Sequence, residues 1–266
     1  MEYYEDPQFG RTGRAPYSRS APWPPGIKGI IIATVVVFLA QTISLRAPRL
    51  ARILDGLKLW PARVFERGAV WQLVTYAFLH AGGMHILFNM LFLYWFGRSI
   101  EIAWGTKRFL IFYFGAAAFS GLCYAAWYYA LGSPYPCIGA SGAVMACMMV
   151  YAIWYPNRVI LLFFIIPVRI RTLVIFTVCL EVYSLWLMDG IAHMAHLGGL
   201  LFGYAIIRAG PRIGRTLEAW FLKRGENTAI EDDRRLDEIL DKVHKKGIGS
   251  LSSGEARFLK RMSRRR

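Results

Sequence analysis

Apolar residues in this chain are gathered into long runs that are separated by shorter polar stretches. An α-helix needs about 20 apolar residues to cross roughly 30 Å of hydrocarbon. Five runs come near that length, and a further run contains Glu181 but is otherwise apolar. In chain order the six runs cover 29–45, 81–97, 109–131, 137–155, 172–188 and 190–207. The pattern predicts an all-α membrane protein with six transmembrane helices, the second of which extends past Arg98.

Two other segments predict contact with the membrane surface. In residues 46–80, Lys and Arg are interleaved with large apolar residues. Cations at this depth extend their head groups to lipid phosphates, so we predict a membrane-associated first loop. Residues 159–167 are apolar, but they are too short to cross a bilayer and they end at Pro167. We predict that they form the approach to the fifth helix and lie at the interface or are buried shallowly.

The two ends of the chain differ from this apolar core. Residues 1–27 contain Tyr, Pro, Gly and Arg without periodicity, which is typical of a disordered polar tail. Since the first apolar run begins only at Gly29, this end lacks the pattern of a cleavable signal peptide. We therefore predict a disordered tail, a six-span core, a linker and a helical hairpin, at 1–27, 28–208, 209–230 and 231–266.

The last of these segments is predicted to contain two short helices on the cytoplasmic side. Residues 231–246 begin with acids and end with bases, which complements a helix dipole, and they carry one apolar stripe. Gly247 ends that helix. Ser252 and Glu255 have the spacing of a capping box and begin the second helix. The sequence does not identify a partner for this hairpin.

Composition and charge narrow the class of protein. The chain is 56% hydrophobic and 18% charged, which excludes a soluble globular domain. Its formal charge is +15, but sixteen of its 32 Lys and Arg lie after Ile207 and most of the others flank apolar runs. That distribution follows the positive-inside rule, and no aromatic-basic motif indicates nucleic acid. We predict an inner-membrane protein with both termini in the cytoplasm, which contacts lipid and no nucleic acid.

The cysteines indicate neither a metal site nor a disulfide framework. They stand singly in apolar stretches, at Cys123, Cys137, Cys147 and Cys179. Zinc sites built from cysteine use closely spaced pairs, which this chain lacks. We expect no metal and no cofactor.

Polar residues inside apolar runs are costly, and they are candidates for function. Ser141 lies in the sequence GASG, Gly139 to Gly142, at the predicted start of the fourth helix. Small neighbours leave its hydroxyl unshielded, and the free amides of a first helical turn can hold a developing oxyanion. Gly142 and Ala146 also have the spacing of a packing notch between membrane helices. The motif alone leaves both interpretations open.

A second candidate is His196 in the sixth run. Gly199 and Gly203 form a GxxxG face that allows close helix packing. Since His196 precedes Gly199 by one turn, we predict that the histidine meets the region of Ser141. A structural hydrogen-bond donor is the alternative for a histidine taken by itself.

A third candidate group lies around the start of the second run. His85 and Asn89 are one helical turn apart and share a face. Both side chains can donate hydrogen bonds to a tetrahedral intermediate. His80 lies five residues before His85 and is therefore off that face, so we predict an orienting role for it in the loop. A nucleophile, a base and oxyanion donors on separate helices are the parts that acyl transfer needs.

Three motifs in order make the chain similar to a known family. They are WQLVTYAFLHAGGMHILFNMLFLYWFGRSIE, GASG at 139–142 and AHLGG at 195–199. Over about residues 29–208 the chain resembles the rhomboid intramembrane serine proteases, of the bacterial type with a C-terminal helical tail. Gln72 departs from an arginine that is frequent in the family. Met145 stands where some members stack an aromatic ring on the catalytic base.

The resemblance implies a six-helix core in which Ser141 and His196 form a dyad without a third carboxylate. His196 is assigned as the base because, unlike His193, it is followed three residues later by glycine. The implied oxyanion hole consists of His85, Asn89 and the Ser141 backbone N–H. Supporting positions are His80, Gly139, Gly142 and Gly199.

The resemblance also implies the substrates, which are single-span transmembrane proteins cleaved where their helix unwinds. Glu101 and Glu181 are interpreted as structural. The first rival is a catalytically inactive rhomboid-like protein that binds membrane clients. The second is a transporter or channel that uses intramembrane His and Glu as a proton path. It predicts repeats or broken helices in the two halves, and this sequence has no internal repeat.

Overall fold

The described part of the protein is largely helical. The computed structural model describes residues 3–5, 12–14, 23–162, 165–185, 192–209, 239, 242, 251–252 and 254–255. The chain divides into two compact units, Met1–Arg208 and Ala209–Arg266. Apart from two short pairs of strands, the described residues of the first unit form helices and the loops between them.

The long helices follow the apolar runs of the sequence. Within the described residues, three helices are long and apolar enough to cross a membrane: Pro25–Ser44, Gly83–Trp104 and Thr106–Ala130. The second of these contains two α-helical segments, which the π-helical turn Leu93–Gly97 joins without a break. The main helices are α1 (Pro25–Ser44), α5 (Gly83–Phe92), α6 (Arg98–Trp104), α7 (Thr106–Ala130), α8 (Ser141–Trp154), α9 (Ile170–Ser184) and α10 (193–209). These lengths confirm membrane helices, and the count of six spans stays a prediction.

Two helix starts differ from the predicted boundaries. Helix α1 begins four residues before the apolar run, at Pro25, because proline has a helical φ and lacks only an N–H that the first turn leaves unbonded. Helix α8 begins at Ser141 rather than at residue 137. Cys137 instead exchanges two backbone hydrogen bonds with Leu59, of 2.9 and 3.1 Å. This extended segment delays the helix until the serine.

The first loop, residues 46–80, is built from short helical segments. They are α2 (Pro48–Asp55), α3 (Pro61–Arg67), α4 (Gln72–Thr75) and a 3-10 turn (Tyr76–Phe78). The buried side chain of Gln72 accepts a hydrogen bond from Trp60 N and donates one to Gly56 O, both at 3.0 Å. The amide therefore anchors this loop, at the position where an arginine is frequent in the family.

Two short strands form an antiparallel pair, and the second leads directly into α9. Strand β3 (Val159–Leu162) pairs with β4 (Ile166–Arg169). The apolar pattern of this segment predicted a position at or near the interface and no strands. Its β-branched residues suit an extended backbone, and membrane contact stays a prediction.

The two ends of the chain are described only in part. The predicted disordered tail is wrong at two places, because Tyr3–Glu5 pairs antiparallel with Thr12–Arg14 and because α1 begins inside the predicted range. Aromatic and β-branched residues favour such strands. Beyond Ala209, the predicted linker lies outside the described residues.

The predicted capping box is present in the C-terminal unit. Glu255 N donates to Ser252 Oγ at 3.3 Å, and Ser252 N donates to Glu255 Oε2 at 2.7 Å. The Lys242 ammonium is 2.9 Å from both oxygens of the Glu255 carboxylate. Most of the predicted hairpin, 231–266, lies outside the described residues, so its two helices stay a prediction.

Glu101 ties the start of α1 to the end of α6. Its buried carboxylate accepts hydrogen bonds from Gly26 N at 2.7 Å and Ile27 N at 2.8 Å, and from Thr106 Oγ1 at 2.7 Å. The first amides of a helix have no partner within it, and a negative charge there also complements the helix dipole. The structural interpretation of Glu101 agrees with these contacts.

Replacing Glu101 by alanine is expected to lower the free energy of unfolding by about 2–4 kcal/mol, because two buried amides lose their acceptor. Thermal melting of the protein in detergent measures the effect. The control is Glu66→Ala on the exposed face of α3, which should leave the melting temperature unchanged. Equal melting of the two variants would contradict the anchoring role.

Candidate active site

Ser141 and His196 are in direct contact. The Ser141 Oγ lies 2.7 Å from His196 Nε2, although the two residues are 55 positions apart. Ser141 is the first residue of α8, and His196 lies in the first turn of α10. A hydroxyl hydrogen-bonded to an imidazole nitrogen is the geometry in which the imidazole removes the hydroxyl proton.

Gly139 creates the space in front of the serine. Its φ of +124° belongs to a region that side-chain-bearing residues rarely adopt. A Cβ at Gly139 would lie 2.9 Å from His85 Nε2 and 3.8 Å from Ser141 Oγ. The absence of a side chain therefore leaves room between the imidazole of α5 and the hydroxyl of α8.

Helices α8 and α10 cross at glycines, as the GxxxG spacing predicted. A Cβ at Gly199 would collide with the carbonyl of Gly142, and one at Gly203 with the carbonyl of Ala146. A Cβ at Gly142 would lie 2.6 Å from Ser120 Cβ of α7 and 3.1 Å from the carbonyl oxygen of Ala195 in α10. This backbone-to-backbone approach brings the turn that carries His196 to Ser141.

The second nitrogen of His196 faces a carboxylate, which the dyad interpretation did not include. His196 Nδ1 lies 2.8 Å from Glu181 Oε1, and His193 Nδ1 lies 2.6 Å from Glu181 Oε2. The prediction of a serine–histidine pair without a third carboxylate is therefore wrong for the geometry of this site. Helix α9 points Glu181 inward, because a carboxylate facing lipid would have no partner.

Among the residues that the structure describes, these same three form the group that could hold a metal ion. Their ligand atoms all lie within 4.8 Å of one another, in Glu181, His193 and His196. Each carboxylate oxygen is already within hydrogen-bond distance of one imidazole nitrogen. Hydrogen bonding thus accounts for the arrangement without an ion.

His85 lies beside the serine, and Asn89 is bonded within its own helix. The backbone N–H of Ala81 donates to His85 Nδ1 at 3.2 Å. Since Nδ1 accepts, the neutral ring carries its proton on Nε2, the atom next to Gly139. The Asn89 amide donates to His85 O at 2.8 Å and is buried.

His80 holds the loop before α5. Gln41 of α1 accepts from His80 N at 3.0 Å and donates to His80 O at 3.2 Å. The buried ring meets His85 edge-on, with centroids 4.9 Å apart. Burial and the nearby His85 lower the pKa of His80 to about 4, so this ring is neutral at pH 7. These contacts agree with an orienting role.

Sequence reasoning missed the partners of the base. It interpreted Glu181 as structural, and it considered His193 only as the rejected base. Met145, one turn after Ser141, is half-buried against the core. Two signals were available: an ionisable residue in an apolar run requires a partner, and residues three apart on a helix share a face.

Comparisons with known proteins match the part of the chain that carries this site. A family described as Rhomboid domain matches residues 67–211, and a family of unknown function, DUF6576, matches residues 229–265. Rhomboid protease GluP of Bacillus subtilis (strain 168) is 31% identical over 143 residues, which are 53% of this chain and 26% of GluP.

Two further relatives have similar names. Rhomboid protease GlpG of Yersinia pestis (strain Pestoides F) is 34% identical over 157 residues, covering 54% of this chain and 49% of GlpG. Rhomboid-like protease 3 of Toxoplasma gondii is 26% identical over 204 residues, covering 75% of this chain and 74% of the relative. The chain therefore matches only about a quarter of GluP and half of GlpG. Together with the apolar helices, these matches indicate a multi-pass membrane protein.

Proposed function

The chain belongs to the rhomboid family, and from this premise we propose that it is an intramembrane serine endopeptidase. The observation that carries the proposal is the 2.7 Å contact between Ser141 Oγ and His196 Nε2. Two relatives named as rhomboid proteases are more than 30% identical over the matched region.

The proposed reaction is acyl transfer to serine and then to water. Ser141 Oγ attacks the scissile carbonyl carbon while its proton passes to His196 Nε2. When the tetrahedral intermediate collapses, the C–N bond breaks and that proton goes to the leaving amine. A water molecule then attacks the ester, gives a proton to His196, and releases the carboxylic acid as that proton returns to Ser141.

The tetrahedral intermediate carries a negative charge on the former carbonyl oxygen. We assign its donors as the His85 Nε2–H, the backbone N–H of Ser141 and the Asn89 amide. The first two are supported by the position of His85 beside Gly139 and by the unbonded amides of the first turn of α8. To donate to the oxyanion, the Asn89 amide must first release its hydrogen bond to His85 O.

The substrates are proposed to be single-span transmembrane proteins. A helix in lipid bonds its backbone internally, so its peptide bonds become open to attack only where it unwinds. The proposed setting is a core of six spans in the inner membrane, with both termini in the cytoplasm. The C-terminal unit lies on the cytoplasmic side in this arrangement, and its partner is unassigned.

The test combines labelling and cleavage by the wild-type protein. A fluorophosphonate probe is expected to label the detergent-solubilised protein at Ser141, as located by peptide mass spectrometry. In proteoliposomes, the protein should cleave at least one of a panel of single-span helices that differ in helix-breaking residues. Absence of both labelling and cleavage, in protein that shows a cooperative thermal transition, would indicate an inactive binding protein.

A further inference from the structure

Two imidazoles hold a single carboxylate behind the proposed active site. Glu181 on α9 faces His196 through Oε1 at 2.8 Å and His193 through Oε2 at 2.6 Å. The three side chains are only 6% to 13% exposed. The two rings lie at 89° to each other with centroids 6.5 Å apart, so each presents one nitrogen to a different oxygen.

This arrangement determines which nitrogen of His196 carries the proton. An ionised carboxylate only accepts hydrogen bonds, so the His196 Nδ1 must be the donor. In the neutral ring, Nε2 is then an acceptor, and it lies 2.7 Å from the Ser141 hydroxyl. Glu181 therefore selects the tautomer that a general base needs.

The carboxylate also compensates the charge that forms during the reaction. When Nε2 takes the serine proton, His196 becomes an imidazolium, and Glu181 lies in contact with it. The carboxylate attracts that cation more strongly in this buried site than it would in water, because the local dielectric constant is low. No net proton transfer to Glu181 is required for this effect.

His193 keeps the carboxylate in position. Its Nδ1 occupies the second oxygen of Glu181, which directs the first oxygen toward His196. His193 and His196 are three residues apart on α10 and approach Glu181 from the same helix. A carboxylate with one partner could rotate about its side-chain bonds, whereas one held at both oxygens has a single orientation.

We propose that Glu181 and His193 are positioning residues, which extend the serine–histidine pair into a hydrogen-bonded chain from Ser141 to His193. This inference rests on the proposed function, since it assigns how the base of that same reaction is oriented. In some members of the family an aromatic ring stacks on the base, and Met145 takes that position here. The contact of His196 with Glu181 orients the base instead.

The first test replaces Glu181 by glutamine, which keeps the size of the side chain and its carbonyl. The rate of fluorophosphonate labelling per folded molecule is expected to fall by up to about 10⁴-fold, the loss in kcat that follows when the triad carboxylate of a soluble serine protease is replaced by its amide. In cleavage assays kcat should fall by a similar factor with KM little changed, because the carboxylate does not contact substrate. Glu181→Asp keeps the charge, so its labelling rate should lie between those of wild type and Glu181→Gln.

The matched control is Glu101→Gln, at a buried glutamate of α6 that is bonded to backbone amides of α1. It is expected to lower the melting temperature while leaving the labelling rate of the folded fraction unchanged. The comparison separates a loss of stability from a loss of base orientation.

A second pair of variants tests His193. The side-chain nitrogen of asparagine can take the place of Nδ1, so His193→Asn is expected to label within about threefold of wild type, whereas His193→Leu should lose about tenfold or more, as outer partners of active-site groups do. Rescue by asparagine distinguishes a donor to Glu181 from a residue that only fills space.

The outcomes separate this inference from the proposed function. If wild type labels and folded Glu181→Gln labels at the same rate, the positioning role is overturned and the protease proposal stands. If Glu181→Gln does not fold, equal rates for His193→Asn and His193→Leu overturn the inference. If wild type neither labels nor cleaves, the proposed function itself fails.

Discussion

Replacing Ser141 by alanine is expected to abolish cleavage of single-span substrates, with a loss of about 10⁶-fold in kcat. The variant lacks the oxygen that forms the acyl intermediate, and neither His196 nor Glu181 can supply it. The structure around the serine should persist, because alanine is a good helix former and lacks only one atom. The melting temperature should therefore stay close to that of wild type.

The measurement is cleavage in proteoliposomes, with the product identified by mass spectrometry. Ser99→Ala is the matched control, since this serine is also buried in a helix but lies in α6, away from the site. It should cleave at a rate near that of wild type. Cleavage by Ser141→Ala at more than about one per cent of the wild-type rate would assign the nucleophile elsewhere.

Replacing Gly199 by alanine is expected to have the largest effect on folding. The new methyl group would collide with the carbonyl of Gly142. Each group is attached to the backbone of a helix, so the collision can be relieved only if a helix moves. Overpacking of this kind costs about 3 kcal/mol when backbone must move. If α10 moves away from α8, His196 also leaves Ser141, so labelling of the remaining folded protein should fall.

The matched control for this substitution is Gly29→Ala in α1, where a Cβ would find no atom within 4 Å. Alanine favours a helix over glycine by roughly 0.5–1 kcal/mol, so this variant should melt at or slightly above the wild-type temperature. Both variants are compared by thermal melting in detergent and by the rate of probe labelling. An unchanged Gly199→Ala variant would show that α8 and α10 do not cross so closely.

The pattern of apolar residues was sufficient to predict those features that depend on a single helix. In lipid a backbone must bond to itself, so an apolar run of sufficient length predicts its own helix. This is why α1, the helix Gly83–Trp104 and α7 lie where the runs predicted them. The glycine spacing also predicted the crossing partner of α10, because small residues are what permit close approach in a membrane.

Helix boundaries and the pairing of β3 with β4 could not be predicted from periodicity alone. Cys137 is apolar and was predicted to begin a helix, but its backbone forms hydrogen bonds with Leu59 of the first loop. The strands β3 and β4 are likewise set by pairing with each other. Such hydrogen bonds compete with the helix only once the chain has folded.

The residue pattern alone predicted that His196 meets Ser141 and that small residues surround them. It did not predict which residue contacts the other side of the histidine, because that depends on how the helices pack. Glu181 and His196 lie on different helices, and the rotation of α9 about its axis determines whether the carboxylate meets the imidazoles or another partner. A residue pattern shows which face of a helix is buried, but the facing partner depends on packing of all neighbouring helices, which no single run of residues contains.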